Sequence, residues 1–405
     1  MSEKFDYTLP RRSLMWLIAA LFFLYEFFLR AFPNTLHVDI VHTWHLSAVQ
    51  FGLLGSAYYL AYSFLQIPVG VVIDRFGIRR SLTIACLICA VGAALFFIAD
   101  DFWLAVIARF LMGVGSAFGF IGILTVSVLH FPKRLLGVLS GATQILGAAG
   151  PIIAGVPLVY VAHTVFHGNW QYAMLGATVV GVLLAIALGL CLKNKTVVAH
   201  GEHMPWWLQL KAIVSRPVLW LIFIYAFFIY AAMPTLGAVW GVAFLQAKGL
   251  TQNQAAYAIS FLWLGLALGS LGFGALSDLL RNRCHSLWWV ALLGVVASAI
   301  FIYVPLSLTG YCVVLFLISC AAAGQTLSFA VLAGFLPDNM RAIGFGINNT
   351  TVMLSGVVVP YLVGTILAHD PGHFAFGFSV LLVGFVLALL LSVFLVFCQK
   401  KASHG

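Results

Sequence analysis

Gly70-Val71-Val72-Ile73-Asp74-Arg75-Phe76-Gly77-Ile78-Arg79-Arg80 is the stretch on which the fold turns. It is a short charged turn between two apolar runs, approximately 47–73 and 81–99. Each run is of the length, about 20 residues at 1.5 Å each, that a helix needs to cross a bilayer. A weaker copy, Gly274-Ala275-Leu276-Ser277-Asp278 with Arg281, stands 204 residues later. The same offset carries Leu46-Ser47 with Gln50 onto Leu250-Thr251 with Gln254. Further on it drifts by a few residues: Pro132 matches Pro337, Gly137 matches Gly344, and Pro151 with Gly155 matches Pro360 with Gly364. The chain is a repeat of two halves in the same orientation.

Working outward, apolar runs fall near 14–36, 47–73, 81–99, 102–129, 136–162, 170–192, 218–243, 251–277, 287–306, 309–335, 342–368 and 373–398. Twelve membrane helices are therefore expected, separated by breaks such as Asp100-Asp101, Phe131-Pro132-Lys133-Arg134, Leu336-Pro337-Asp338 and Asp370-Pro371-Gly372. The 405-residue composition agrees: 63% hydrophobic and 8% charged, where a soluble protein carries about 25% charged. Such a chain cannot clothe a water-facing surface. Its net charge of +9 is scattered between apolar runs, which excludes a nucleic-acid-binding patch.

The basic residues set the orientation. Lys4, Arg11, Arg12, Arg75, Arg79, Arg80, Lys133, Arg134, Lys193, Lys195, Lys211, Arg216, Arg281, Arg283, Arg341, Lys400 and Lys401, 17 of the 20, lie at the termini or in the loops of one side. By the positive-inside rule both termini are cytoplasmic. The opposite loops hold Lys248 beside Asp39, Asp100, Asp101 and Asp370, with histidines at 37, 42, 45, 163, 167, 369 and 373. Those histidines are spread over separate segments and read as interface residues; no metal site is expected, and Cys86 and Cys89 sit inside an apolar run as small hydrophobes. The first run is too long for a signal-peptide core and is expected to stay as the first span.

The turn at 70–80 resembles the loop signature of the major facilitator superfamily: a glycine, an aspartate-arginine pair, a second glycine, then basic residues. Val72 and Ile78 depart from the usual leucine and arginine. Gly274 to Asp278 with Arg281 stands where the family has its second copy. In the fourth run, Arg109-Phe110-Leu111-Met112-Gly113-Val114-Gly115-Ser116-Ala117 looks like the family's membrane-embedded arginine followed by a glycine face, with Met112 in place of a frequent glutamine. Gly137, Gly150-Pro151 and Gly155 match part of a signature of proton-driven exporters, which Leu146 and Ala154 interrupt. The resemblance implies an all-α membrane fold of two parallel six-helix bundles, 1–192 and 218–405, joined by a cytoplasmic linker, 193–217, that holds Pro205-Trp206-Trp207. It also implies a monomer in the plasma membrane, or the inner membrane of a Gram-negative cell. Gly70, Asp74, Arg75, Gly77, Arg79, Arg80, Asp278 and Arg281 are the expected conformational latch, with glycine allowing close approach and aspartate bonding across a helix gap.

Three ionisable residues remain at membrane depth: Glu26, Arg30 one turn later on the same face, and Arg109. A charge there costs about 2.5 to 3.5 kcal/mol, so each is expected to face a polar cavity. The i,i+4 spacing lets Glu26 and Arg30 pair. The family arrangement puts spans one and four beside the central cavity, which makes the site net positive. Arg30 and Arg109 are thus the expected anion-holding forks and Glu26 the proton-coupling group. Tyr25, Tyr58, Tyr62, Gln66, Gln144, Tyr225, Gln325 and Asn348 are further substrate-binding candidates.

The function these features imply is secondary active transport of a small organic anion by alternating access, with protons as the coupling ion in symport. The alternatives are a proton-driven exporter of hydrophobic or zwitterionic compounds and a dipeptide or amino-acid carrier. The sequence has no phosphate-cradling G-x-x-x-x-G-K motif for ATP, no clustered catalytic set and no cofactor motif. The expected partners are therefore the solute, protons and lipid.

Overall fold

The computed structural model describes residues 8–132, 135–193, 206–279, 283–370 and 374–402, and every regular element among them is helical. Among the described residues twelve segments are long and apolar enough to cross a membrane: Leu9–Thr35, Ala48–Phe76, Ile78–Phe97, Phe102–His130, Val138–Val165, Gln171–Cys191, Pro217–Ala247, Gln252–Gly272, Ser286–Tyr303, Leu308–Phe335, Ile343–His369 and Phe374–Val396. They are spans one to twelve below, and each coincides within a few residues with an apolar run of the sequence. Pro10 lets span one begin early, because a proline in the first helical turn gives up an N–H that has no helix partner anyway. Spans six and twelve are the least buried, at 28% and 33% of their apolar windows, so their outer faces are lipid-facing. The described residues pack as two compact units, one from Met1–Leu46 with Ala57–Ala199 and the other from Ser47–Ser56 with His200–Gly405.

The repeat is written into the helix ends. Gln50 Oε1 accepts from the Ser47 N–H at 2.9 Å while Ser47 Oγ accepts from the Gln50 N–H at 3.3 Å. Thr251 and Gln254 make the same reciprocal pair at 3.0 and 3.3 Å. Each is a capping box, which satisfies two of the N–H groups that a helix start leaves open. At the opposite helix ends, Arg12 donates Nη1 to the carbonyl of His130, the last residue of span four, at 3.0 Å. Arg216, 204 residues after Arg12, donates Nη1 to the carbonyl of Phe335, the last residue of span ten, at 3.4 Å. A cation against the open carbonyls of a helix C-terminus is favourable in both units. The Asp100-Asp101 break has a similar cause: Asp101 caps span four by accepting from the N–H groups of Trp103 and Leu104 at 2.7 and 3.0 Å.

The quoted turn owes its shape to Gly77. Its N–H closes span two on the Ile73 carbonyl at 2.8 Å, and its backbone then takes φ 82°, ψ 153° to start span three. That region belongs to glycine, because any Cβ there meets the backbone. Gly70 is different. A Cβ added at Gly70 would meet nothing within 4 Å, so the close approach expected of it is not what the structure shows at that position. Gly77→Ala should therefore lower stability by roughly 1–3 kcal/mol, the usual cost of such strain, while Gly70→Ala should be near neutral. Thermal unfolding of the two variants in detergent checks the contrast, and equal midpoints would refute it.

Two departures from the expected outline have physical causes. The segment after span one is helical, His37–Trp44, and ends on His45 at φ 49°. Trp44 holds it down by edge-on contacts with Phe96 and Trp170 at 5.3 and 5.8 Å, and Thr43 Oγ1 accepts from Trp170 Nε1 at 3.0 Å. The linker also contains a helix, Trp206–Val214, with Trp207 exposed. In span five, Gly147 and Gly150 lie where a Cβ would run into Phe23 and into the backbone of Leu24 and Phe28 on span one. These glycines let the two helix backbones meet.

Candidate functional site

Span one places Glu26 and Arg30 on one face, and they pair: Arg30 Nη2 donates to Glu26 Oε2 at 3.0 Å and to Oε1 at 3.3 Å. Tyr58 of span two donates its hydroxyl to the same Oε2 at 2.8 Å. Glu26 and Arg109 are 0% exposed and Arg30 is 1% exposed. Burying a charge is costly unless it is paired and hydrogen-bonded, a condition that Glu26 and Arg30 meet in each other.

Arg109 reaches this cluster from span four by donating Nη1 to the carbonyl of Leu29. The sequence of span one explains why that carbonyl is open. Residue 33, four positions later, is proline, which has no N–H to return to it. The guanidinium takes the place of the missing backbone donor. Arg109 Nη1 also lies 3.7 Å from Met112 Sδ, whereas its Nε and Nη2, like Arg30 Nε, are buried with no hydrogen-bond partner.

Aromatic rings enclose both cations. The Arg30 guanidinium carbon lies 4.2 Å from the Phe27 ring, 4.9 Å from Tyr62, 5.7 Å from Tyr58 and 5.9 Å from Tyr59. The Arg109 carbon lies 4.8 Å from the Tyr58 ring and 5.3 Å from Phe32. Ring faces attract cations without neutralising them. The cluster thus holds two guanidinium groups against one carboxylate. Small residues of span four make the room: at Gly113 a Cβ would run into the Tyr58 carbonyl, and at Gly119 it would lie 3.1 Å from Glu26 Cγ.

Of the residues singled out in the sequence, Glu26, Arg30, Arg109, Tyr58 and Tyr62 come together. Gln66 is buried one turn from Tyr62 and donates Nε2 to its carbonyl at 3.2 Å. Tyr25 and Tyr225 spend their hydroxyls on the carbonyls of Ala177 and Leu287, at 2.9 and 3.1 Å. Gln144 is half-buried on span five. Gln325 and Asn348 lie in the second unit, joined through Ser328. Of the latch candidates, Asp74, Arg75 and Arg80 are exposed at the turn and Arg79 is half-buried. Asp278 stands in the last turn of the helix Gln252–Leu279, and Arg281 lies outside the described residues, as do Lys4, Lys133, Arg134, Lys195 and His373.

Sequence reasoning did not single out Phe27, Tyr59, Leu29 or Pro33 as parts of this cluster. Pro33 was the available signal, since a helix-interior proline announces an open carbonyl four residues back. Away from the cluster, His163 Nε2 lies 3.4 Å from Asp39 Oδ2, and among the described residues no three metal-ligating side chains gather.

The comparisons with known proteins agree with this architecture. A stretch of 149 residues is 30% identical to an uncharacterized transporter of Bacillus subtilis (strain 168), covering 36% of this chain and 33% of that protein, so the chain spans about a third of that relative's length. The 3-(3-hydroxy-phenyl)propionate transporter of Escherichia coli (strain K12) is 25% identical over 343 residues, 82% of this chain and 81% of that protein. Among solved structures, a bacterial homolog of the human lysosomal transporter Spinster superposes with a TM-score of 0.79 at 17% identity, covering 97% of this chain and 98% of the other. The family model for the Major Facilitator Superfamily matches residues 16–360. Twelve apolar spans, the repeated turn and a match over most of the length make the conclusion direct: this multi-pass membrane protein belongs to the Major Facilitator Superfamily, whose members are secondary transporters of small molecules and not enzymes.

Proposed function

We propose that the protein carries a small organic anion across the plasma membrane by alternating access, in symport with protons, as a monomer with both termini cytoplasmic. One observation supports this above the others. Arg109 is fully buried, anchored through Nη1 to a neutral carbonyl, and keeps Nε and Nη2 without a partner. A guanidinium offers a planar fork that matches a carboxylate. With Glu26 already paired to Arg30, the second positive charge is the one left for a solute. The hydroxy-phenylpropionate transporter among the relatives handles an aromatic carboxylate by its name, and the rings of Phe27, Tyr58, Tyr59 and Tyr62 suit a solute of that kind.

In this reading Arg30 and Arg109 hold the anion, Glu26 exchanges the proton, and Tyr58 and Tyr62 flank the solute. Residues 1–192 and 218–405 act as the two bundles, with 193–217 between them. A thermal-shift screen of organic acids, amino acids, dipeptides and lipophilic cations at two pH values tests the reading. Stabilisation by carboxylates is the expected result; stabilisation by lipophilic cations alone would replace it with an exporter.

The turn at Gly70–Arg80 acts as a latch through Asp74. Asp74→Ala should slow transport while leaving solute affinity within a few-fold, because the residue is exposed at a helix end and does not touch the buried cluster. Initial uptake rates in proteoliposomes beside equilibrium binding check this, and undiminished uptake removes the latch role.

A further inference from the structure

The edge of Arg109 that stays open has a definite chemistry. A guanidinium presents two bidentate edges, one formed by Nη1 with Nη2 and the other, side-on, by Nε with Nη2. Nη1 donates to the Leu29 carbonyl, which commits the first edge. Nε and Nη2 are buried without a hydrogen-bond partner, so the side-on edge is intact. Arg30 differs, because its Nη2 is already given to both oxygens of Glu26. Glu26 accepts from Tyr58 as well, and that contact uses the one proton of the Tyr58 hydroxyl. Two shielded parallel donors of this kind, in a carrier, call for an acceptor with two oxygens that arrives with the cargo.

The charges around that edge limit what else the solute can carry. Outside the first and last turns of the described spans, Glu26 is the one acidic residue, against Arg30 and Arg109. A carboxylate on Arg109 lowers the excess of positive charge by one. An α-amino acid brings an ammonium with its carboxylate and leaves that excess where it was, whether Glu26 is ionised or protonated. The ammonium is two bonds from the carboxylate carbon, so it stays within the first unit's cluster however the rest of the molecule is directed. There the carboxylate of Glu26 is taken, and the rings of Phe27, Tyr62 and Tyr58 already lie against guanidinium groups. A buried ammonium without a counter-charge is costly, whereas a neutral α-substituent is not. We infer that the Nε–Nη2 edge of Arg109 is a side-on carboxylate subsite that discriminates against an α-ammonium, so that the protein selects acids with a neutral α-substituent and rejects the matching amino acids. This rests on the anion reading above and narrows its substrate class.

The test uses two matched pairs of nearly equal size, phenyllactate with phenylalanine and lactate with alanine, in which a neutral α-hydroxyl stands where the amino acid has its ammonium. Each is titrated calorimetrically into purified full-length protein. Wild type should bind the hydroxy acid of at least one pair roughly 30-fold or more tightly than its amino acid, the scale on which a juxtaposed like charge is penalised. Arg30→Gln reads the charge balance directly. It frees Glu26 from its cation, so an ammonium gains a counter-charge and the ratio should fall by roughly tenfold or more. The thermal midpoint of the variant shows whether it has kept its fold; if it has not, the wild-type ratio decides alone. An amino acid bound as tightly as its hydroxy acid overturns the subsite while leaving the anion reading intact, because both bring a carboxylate. An undiminished ratio in folded Arg30→Gln overturns it equally, since the charge of the cluster is then not the cause. If neither hydroxy acid binds, the subsite is overturned, and the anion reading is judged separately by the wider acid screen.

Discussion

Replacing Arg109 with glutamine should abolish detectable binding of the anionic solute or weaken it by at least about 30-fold. The side chain is 0% exposed and already anchored, so little ordering is lost when its free nitrogens meet a carboxylate. Removing one partner of a buried charge-assisted contact costs 2–5 kcal/mol or more, about 30-fold and upward in affinity. Glutamine keeps a neutral donor on a shorter side chain but not the charge or the fork. Arg109→Lys makes the sharper comparison: it keeps the charge, loses the paired geometry and should recover only part of the affinity. Calorimetry on purified protein reads both. Wild-type affinity in the glutamine variant would take Arg109 out of the solute's path and leave it as a brace between spans four and one.

Glu26→Gln should separate exchange from accumulation. Glu26 is the one carboxylate of the described spans' interior cluster, held by Arg30 at 3.0 Å and Tyr58 at 2.8 Å. On the proposed reading, a proton taken up by Glu26 would cost Arg30 its ionic partner, and the freed guanidinium would join Arg109 in holding the anion. Loss of the proton would re-form the i,i+4 pair and displace the anion. Proton and solute would then bind with positive coupling, each raising the other's affinity by the same factor. Glutamine imitates the protonated form permanently. Binding and counterflow should persist with a flattened pH dependence, while uptake driven by an imposed pH gradient should fall to background. Both assays run in the same proteoliposomes, so a failed reconstitution cannot be mistaken for the effect. Gradient-driven accumulation by the variant would assign coupling elsewhere and leave Glu26 as the structural partner of Arg30.

Much of this protein was legible because a bilayer restricts what a sequence can do. A run of apolar residues long enough to cross it has to be a helix, since no water is present to satisfy an open backbone. That is why the twelve runs and the twelve spans agree within a few residues. The capping pairs at Ser47 and Thr251 were visible as a repeated pattern for a related reason: a helix end needs the same small set of side chains wherever it occurs. Glu26 with Arg30 was visible from its spacing. Contacts between spans were not, because a tyrosine gives no sign in the sequence of which neighbour its hydroxyl meets. Tyr25 and Tyr225 bond to carbonyls of other helices, while Tyr58 bonds to the carboxylate. Tyr59 was passed over although it stands beside Tyr58, since both faces of span two are apolar and no period marks one of them as inward. The helix His37–Trp44 was hidden by its shortness; its stability comes from Trp44 and Trp170, which are far apart along the chain.

Pro33 has a consequence for how the positive charge is kept available. Had Arg109 been fixed by a carboxylate, the anchor would have cancelled the charge it positions and would have responded to acid and base. A carbonyl exposed by a missing backbone proton does neither. It orients the guanidinium, leaves its full charge for an incoming anion and has no proton of its own to gain or lose. The two arginines thus differ in their anchors, and the proposed division of duties follows that difference. Arg30 is tied to a carboxylate, and Arg109 to a carbonyl that has no proton to exchange. A substitution at Pro33 is therefore a change to the support of Arg109 that happens to be written in the backbone: restoring an N–H at that position would offer Leu29 its ordinary helical partner and leave Arg109 competing for its own anchor.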